Sequence, residues 1–105
     1  MECIVHRIKL NDGVPPERFE TWVREVDYAT CPQLPSVLSF SVQRVSTDPA
    51  APVHYFEVIQ ITDGKAFEAD MAQEVFQGLE KDFHTMASVV DEVSGERVGA
   101  GYTAG

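Results

Sequence analysis

His6 and Glu57 are the two polar side chains of this sequence that interrupt otherwise apolar rows. His6 alternates with Ile4, Ile8 and Leu10, and Glu57 with Val53, Tyr55, Ile59 and Ile61. A carboxylate among aliphatic neighbours is expensive to bury unless it is paired. If the two rows face one cavity, the imidazole can move a proton while Glu57 or the Tyr55 phenol orients it, or Glu57 can take a ring N–H or act as a base. His6 and Glu57 are therefore the catalytic candidates. The structural alternatives are a histidine bonded to a backbone carbonyl in the core or an interface, and a Glu57 paired with Arg7 or Arg44 at a subunit boundary.

Tyr55, Asp27 and His84 are candidates for the pocket wall. Asp27 meets a ligand beyond the first helix or is simply solvated. His84 follows Phe83 at the end of the second helical region, where the helix dipole favours positive charge, and lines the pocket mouth or caps the surface. His54 begins a strand beside a loop and carries less weight. The three histidines lack metal-ligand spacing, so no metal is expected. No local base accompanies Cys3 or Cys31, which argues against a thiol nucleophile. Phosphate-cradling loops, the dinucleotide glycine pattern and the serine nucleophile elbow are absent, and no cofactor is expected.

These residues need elements to carry them. Cys3 to Leu10 reads as a first strand, and Asn11-Asp12-Gly13 as the turn after it. Pro15 or Pro16 then suits the first turn of a helix, with Glu17 at its positive end. Phe19, Trp22, Val23 and Val26 recur at helical spacing and predict one apolar stripe lying on a sheet, ending near Cys31 because Pro32 cannot continue the ladder. Val37 to Val45 is a second strand with Leu38, Phe40 and Val42 on one side, and Val53 to Ile61 a third. Asp63 is placed to cap a second helix, whose Phe67, Met71, Val75 and Leu79 share a side and whose Gly78 marks a break. Val89 to Val93, extending towards Val98, is the last strand.

The order strand, helix, strand, strand, helix, strand predicts an α+β fold: a ferredoxin-like βαββαβ subunit, with a four-stranded antiparallel sheet and two helices on one face. Residues 1–98 form the domain and 99–105 a tail. Strand three is apolar on both sides, so both sheet faces want cover. A second copy packed sheet to sheet, enclosing a space between the chains, is the expected source.

The segment Phe19-Glu20-Thr21-Trp22-Val23-Arg24-Glu25-Val26-Asp27, followed by Leu34-Pro35 and the strand around Phe40, resembles the dimeric α/β-barrel superfamily and its EthD-like branch. In that branch a histidine follows the Phe and Trp of the first helix, and Asp27 stands in its place here. Across nearly the whole chain, from Cys3-Ile4-Val5-His6-Arg7-Ile8 onwards, the sequence is similar to the REDY-like, HapK-type family. The resemblance implies a homodimer and a role as enzyme or accessory protein in prodigiosin-type tripyrrole biosynthesis, with a pyrrole or bipyrrole intermediate as the ligand. The reaction would be an addition, elimination, condensation or cofactor-free oxygenation. The competing reading is a noncatalytic protein that binds or stabilises an intermediate or a synthase.

Composition narrows the partners. Eight basic against 17 acidic residues give a formal charge of -9, which repels nucleic acid and anionic membranes. No apolar run approaches the length of a membrane span, and no basic leader precedes an apolar core, so a cytoplasmic protein with reduced thiols is expected.

Overall fold

A computed structural model describes residues 1–105. The strands β1 (Glu2–Leu10), β2 (Val37–Arg44), β3 (Tyr55–Ile61) and β4 (Ala87–Glu96) form one antiparallel sheet in the order β2-β3-β1-β4. Both helical regions lie on the face that carries Ile4, His6 and Ile8 of β1 with Tyr55, Glu57 and Ile59 of β3, since these residues meet the helices' apolar side chains. The ferredoxin-like α+β architecture expected from the sequence is thus present, with β1 and β3 central.

The first helical region is a composite. α1 (Pro16–Trp22) opens with proline in its first turn and continues into a π-helical turn, Val23–Asp27, then a short α2 (Tyr28–Thr30) and a 3₁₀ turn, Cys31–Gln33. The second region is α3 (Gly64–Met71) and α4 (Glu74–His84). Asp63 caps α3 as expected, accepting the Ala66 N–H at 2.8 Å. The break between helices falls at Ala72 and Gln73 rather than at Gly78. Gln73 turns extended and its carbonyl restarts the ladder to Phe76 and Gln77. Because of that break the inward row of α4 is Phe76, Leu79 and Phe83 in place of Val75. Gly78 is an interior residue of α4 with open space where a Cβ would sit.

Three irregularities of one residue each shift side chains between faces. In β2, Val37 pairs with Ile61 and Ser39 with Gln60, so Leu38 is the extra residue. That bulge brings Phe40 and Val42 to the helix side with Val37 and leaves Leu38 exposed, where simple alternation had grouped Leu38 with Phe40. In β4, Arg7 pairs with Asp91 and Ile8 with Val89, so Val90 is the bulge. Val89 and Glu92 consequently share the helix side although they are three positions apart. In the first helical region, the Tyr28 N–H bonds back five residues to the Val23 carbonyl, which inserts one residue into the turn. The expected stripe therefore fails at Val26, which is 38 % exposed, and Asp27 takes the inward position.

Packing forms two clusters instead of one continuous core. Ile8, Leu10, Phe19, Val23, Tyr55, Met86 and Ala87 make the larger; Ile59, Ile61 and Phe67 make the smaller. β3 starts at Tyr55, two residues later than expected. Its predecessor His54 is a buried structural link, with Nδ1 accepting the Leu10 N–H at 3.0 Å and Nε2 donating to the Asp48 carbonyl at 2.9 Å. Buried Asp70 ties α3 to the approach of β2 by accepting the Ser36 backbone N–H at 2.8 Å and the Ser36 hydroxyl.

Candidate active site

Between the two clusters the helices stand away from the sheet and leave a cavity of about 490 Å³. It lies inside one chain, on the helix side. The space expected between two sheets is thus not where the candidate residues point, because His6 and Glu57 belong to the row that the helices cover. Trp22, Phe40, Phe67, Phe76 and Phe83 supply aromatic wall, and Ile4 and Ile59 the apolar floor.

At the centre of that floor His6 and Glu57 are direct partners in the β1–β3 register, and the imidazole Nδ1–H donates to Glu57 Oε1 at 2.7 Å. On its other side His6 pairs with Glu92 of β4, with Nε2–H donating to Oε1 at 2.6 Å. Both ring nitrogens face carboxylate oxygens, an arrangement that the doubly protonated ring satisfies in full. The Glu57 bond raises the His6 pKa most, burial works against it, and Glu92 raises it further. The His6 and Glu57 side chains are 19 % and 14 % exposed, so the row sits in a partly dry environment where charge-assisted bonds are strong.

Asp27 enters from the π-helical turn. Its carboxyl makes no hydrogen bond within the chain, and burial, with a smaller contribution from the Glu57 charge, pushes its pKa up to about 7. It therefore exchanges a proton near neutrality, unlike an ordinary surface aspartate. Nearby Cys31 donates its thiol to the Asp27 carbonyl at 3.5 Å, and burial followed by the Asp27 charge pushes it up to about 11. The thiol stays protonated, in keeping with the argument against a cysteine nucleophile. His84, the last residue of α4, lines the cavity beside Phe83. The buried Trp22 Nε1–H in the wall has no partner in the chain.

The structure thus brings His6, Glu57, Asp27 and His84 to one cavity and separates Tyr55 from them. Tyr55 is on the same sheet face but only 1 % exposed, packed at a tilt against Phe19 with ring centroids 4.8 Å apart. Its hydroxyl donates to Glu20 Oε2 at 2.6 Å, and Arg44 holds the same carboxylate through Nε at 2.8 Å and through Nη2. Arg44 is the main cause of a Glu20 pKa lowered to about 2. Tyr55 is core because Phe19 and Val23 close over its end of the sheet. Arg7 and Arg44, the alternative partners for Glu57, are engaged elsewhere: Arg7 with Asp91 and Arg44 with Glu20.

Glu92 escaped the sequence reading. Alternation through Val89, Asp91 and Val93 puts it on the opposite face, and only the Val90 bulge carries it to His6. The available signal was the acidic pair Asp91-Glu92 inside an apolar strand.

No helix is long and apolar enough to cross a membrane. No curated protein matches the chain. Among solved structures, HapK from Hahella chejuensis is 54 % identical over 100 % of both chains, with a TM-score of 0.97. SnoaB, a cofactor-independent oxygenase from Streptomyces nogalater, shares the fold at 17 % identity, with 94 % of each chain covered and a TM-score of 0.74. An EthD family protein from Bacillus halodurans does so at 12 % identity, over 93 % of this chain and 100 % of its own, with a TM-score of 0.67. The family model described as REDY-like protein HapK matches residues 2–98, and the chain belongs to that family.

Proposed function

We propose that the protein is an enzyme of secondary metabolism that moves a proton on a small, flat, pyrrolic intermediate held in the aromatic cavity. The observation that carries this reading is the His6 ring fixed between Glu57 and Glu92 on the cavity floor. Two carboxylates and one imidazolium leave a net negative charge facing the ligand. Glu57 is the base that meets a ring N–H or an acidified C–H, His6 is the cation that stabilises it, and Asp27 returns a proton to a neighbouring ring atom. Such relocation is common to addition, elimination and condensation, and needs no prosthetic group. SnoaB, described as a cofactor-independent oxygenase, has the same fold. Family resemblance supplies the pathway: a pyrrole or bipyrrole step of prodigiosin-type pigment biosynthesis.

The working form is a homodimer. Val5 of β1 pairs with Val58 of β3 and Val93 of β4, a row of three valines on the sheet face the helices leave open. Only 15 of the 105 residues are buried in the single chain, a thin core that a second sheet would thicken. Arg7 and Asp91 cross the same face as an ion pair.

Comparing metabolites of a producing cell with and without the chain identifies the compound that accumulates. Purified protein should then convert that compound, and His6→Gln or Glu57→Gln should abolish turnover while folding and ligand binding persist. Unchanged product formation by both variants overturns the assignment and leaves a binding protein.

A further inference from the structure

The charge of the cavity wall is one-sided. Glu2, Asp27, Glu57, Glu68, Glu80 and Glu92 line it, and no lysine or arginine does. His6 offsets one of these carboxylates, and both its nitrogens are spent on Glu57 and Glu92, so it offers no free N–H to an anion. The apolar wall points the same way. Indole and phenyl faces carry negative quadrupole potential and attract cations, most strongly where water is excluded. Trp22 and Phe83 lie with centroids 6.5 Å apart on one side, and Phe67 and Phe76 with centroids 5.9 Å apart on another. A carboxylate, sulfonate or phosphate entering this space meets mostly like charge, with His84 at the end of α4 the one basic side chain of the lining outside the His6 bonds. A flat cation meets aromatic side chains and carboxylates.

Resting on the reading that this cavity is the substrate site, we propose that it selects a ligand that carries a protonated imine-type ring nitrogen beside or in place of a neutral pyrrole N–H, with Asp27 and Glu57 taking the ligand's N–H groups, and that it rejects anionic aromatics. The order of events follows. The ligand arrives carrying the proton that the site removes, so recognition and chemistry use the same N–H. Acidified intermediates, such as free carboxylates or thioesters of an anionic carrier, are excluded as ligands of this cavity. The preceding reaction must therefore deliver a basic, carboxylate-free ring system.

The test compares two fluorescent probes of similar size and opposite charge, proflavine as a flat three-ring cation and anthracene carboxylate as a flat three-ring anion, titrated into the intact protein. Because the whole chain is acidic, each titration is repeated at high salt, which screens surface attraction. Proflavine should bind roughly tenfold or more tighter than anthracene carboxylate and should weaken by about tenfold in Asp27→Asn. Filling the cavity with Leu79→Trp should abolish its binding in protein whose circular dichroism is unchanged. Equal affinity for both probes overturns the cation preference and leaves the cavity reading intact. Proflavine binding that vanishes at high salt and ignores both substitutions is surface attraction and overturns the proposal, as does binding of neither probe. Turnover lost in His6→Gln with charge preference retained separates this inference from the catalytic assignment, which has its own readout.

Discussion

His6 and Glu92 stand opposite one another across the β1–β4 register, with the imidazole Nε2 2.6 Å from the carboxylate, although uniform pleating of β4 sends Glu92 to the other face. The bulge at Val90 makes this bond, and through it the histidine is held at both nitrogens. A ring so held is a fixed charge more than a shuttle, and its protonation is linked to folding.

His6 has its pKa raised on folding, so the native state binds its proton more tightly than the unfolded chain does. The stabilisation is complete below the reference value of 6.5 and is lost as pH rises through the folded value. Urea unfolding of wild type and His6→Gln across this range should show a stability gap that is widest in acid and narrows in alkali. A gap that widens with pH refutes the imidazolium assignment.

Asp27 carries the opposite consequence. Its pKa is raised from 3.8 to about 7, so ionising it in place penalises the fold, and the penalty grows as pH climbs between those values. A carboxyl raised to about 7 carries a ceiling of about 4 kcal/mol, which partial solvent access reduces to about 2 kcal/mol. Asp27→Asn should therefore stabilise the protein at alkaline pH and change little in acid, as read by denaturant midpoints. Glu57, His6, Glu92, Cys31 and His84 line the same cavity, so the catalytic pH profile should also lose its limb near neutrality in Asp27→Asn while that of Cys31→Ser keeps it.

Tyr55 separates core from site. Tyr55→Phe removes the hydrogen bond to Glu20 and should cost about 1–2 kcal/mol in thermal or chemical unfolding. Turnover and probe binding should stay at wild-type levels in the folded protein. A selective loss of turnover returns the phenol to the pocket.

Val93 tests the second copy. It is 69 % exposed in the single chain, so Val93→Lys leaves the subunit fold unaltered and sets two buried cations against each other in a sheet-to-sheet dimer. Light scattering should report wild-type protein at twice the chain mass and the variant at one chain mass. Wild type at one chain mass removes the dimer.

The strand and helix order and the Asp63 cap were legible, because period and turn chemistry are local, whereas the register that makes His6 and Glu57 direct partners was not. Faces were legible only as far as the period ran unbroken. Leu38 and Val26 were each assigned to the wrong side by a single inserted residue, Glu92 was assigned to neither, and insertions of that kind leave no mark on hydrophobic alternation. Tyr55 was on the right face but at the wrong end of it, since the sequence does not show where the helices lift off the sheet.

Phe40, Asp27 and Glu92 each reach the cavity through one surplus residue wound into a regular element. The site consequently depends on chain length as well as on residue identity. Losing a single codon from the helix turn would rotate the residues beyond it by roughly 100° about the helix axis, so the side chain that faces the pocket depends on where the loss falls. A lineage carrying this fold can thereby silence or recruit the pocket by insertion and deletion, and a deletion scan would expose dependencies that substitutions alone pass over.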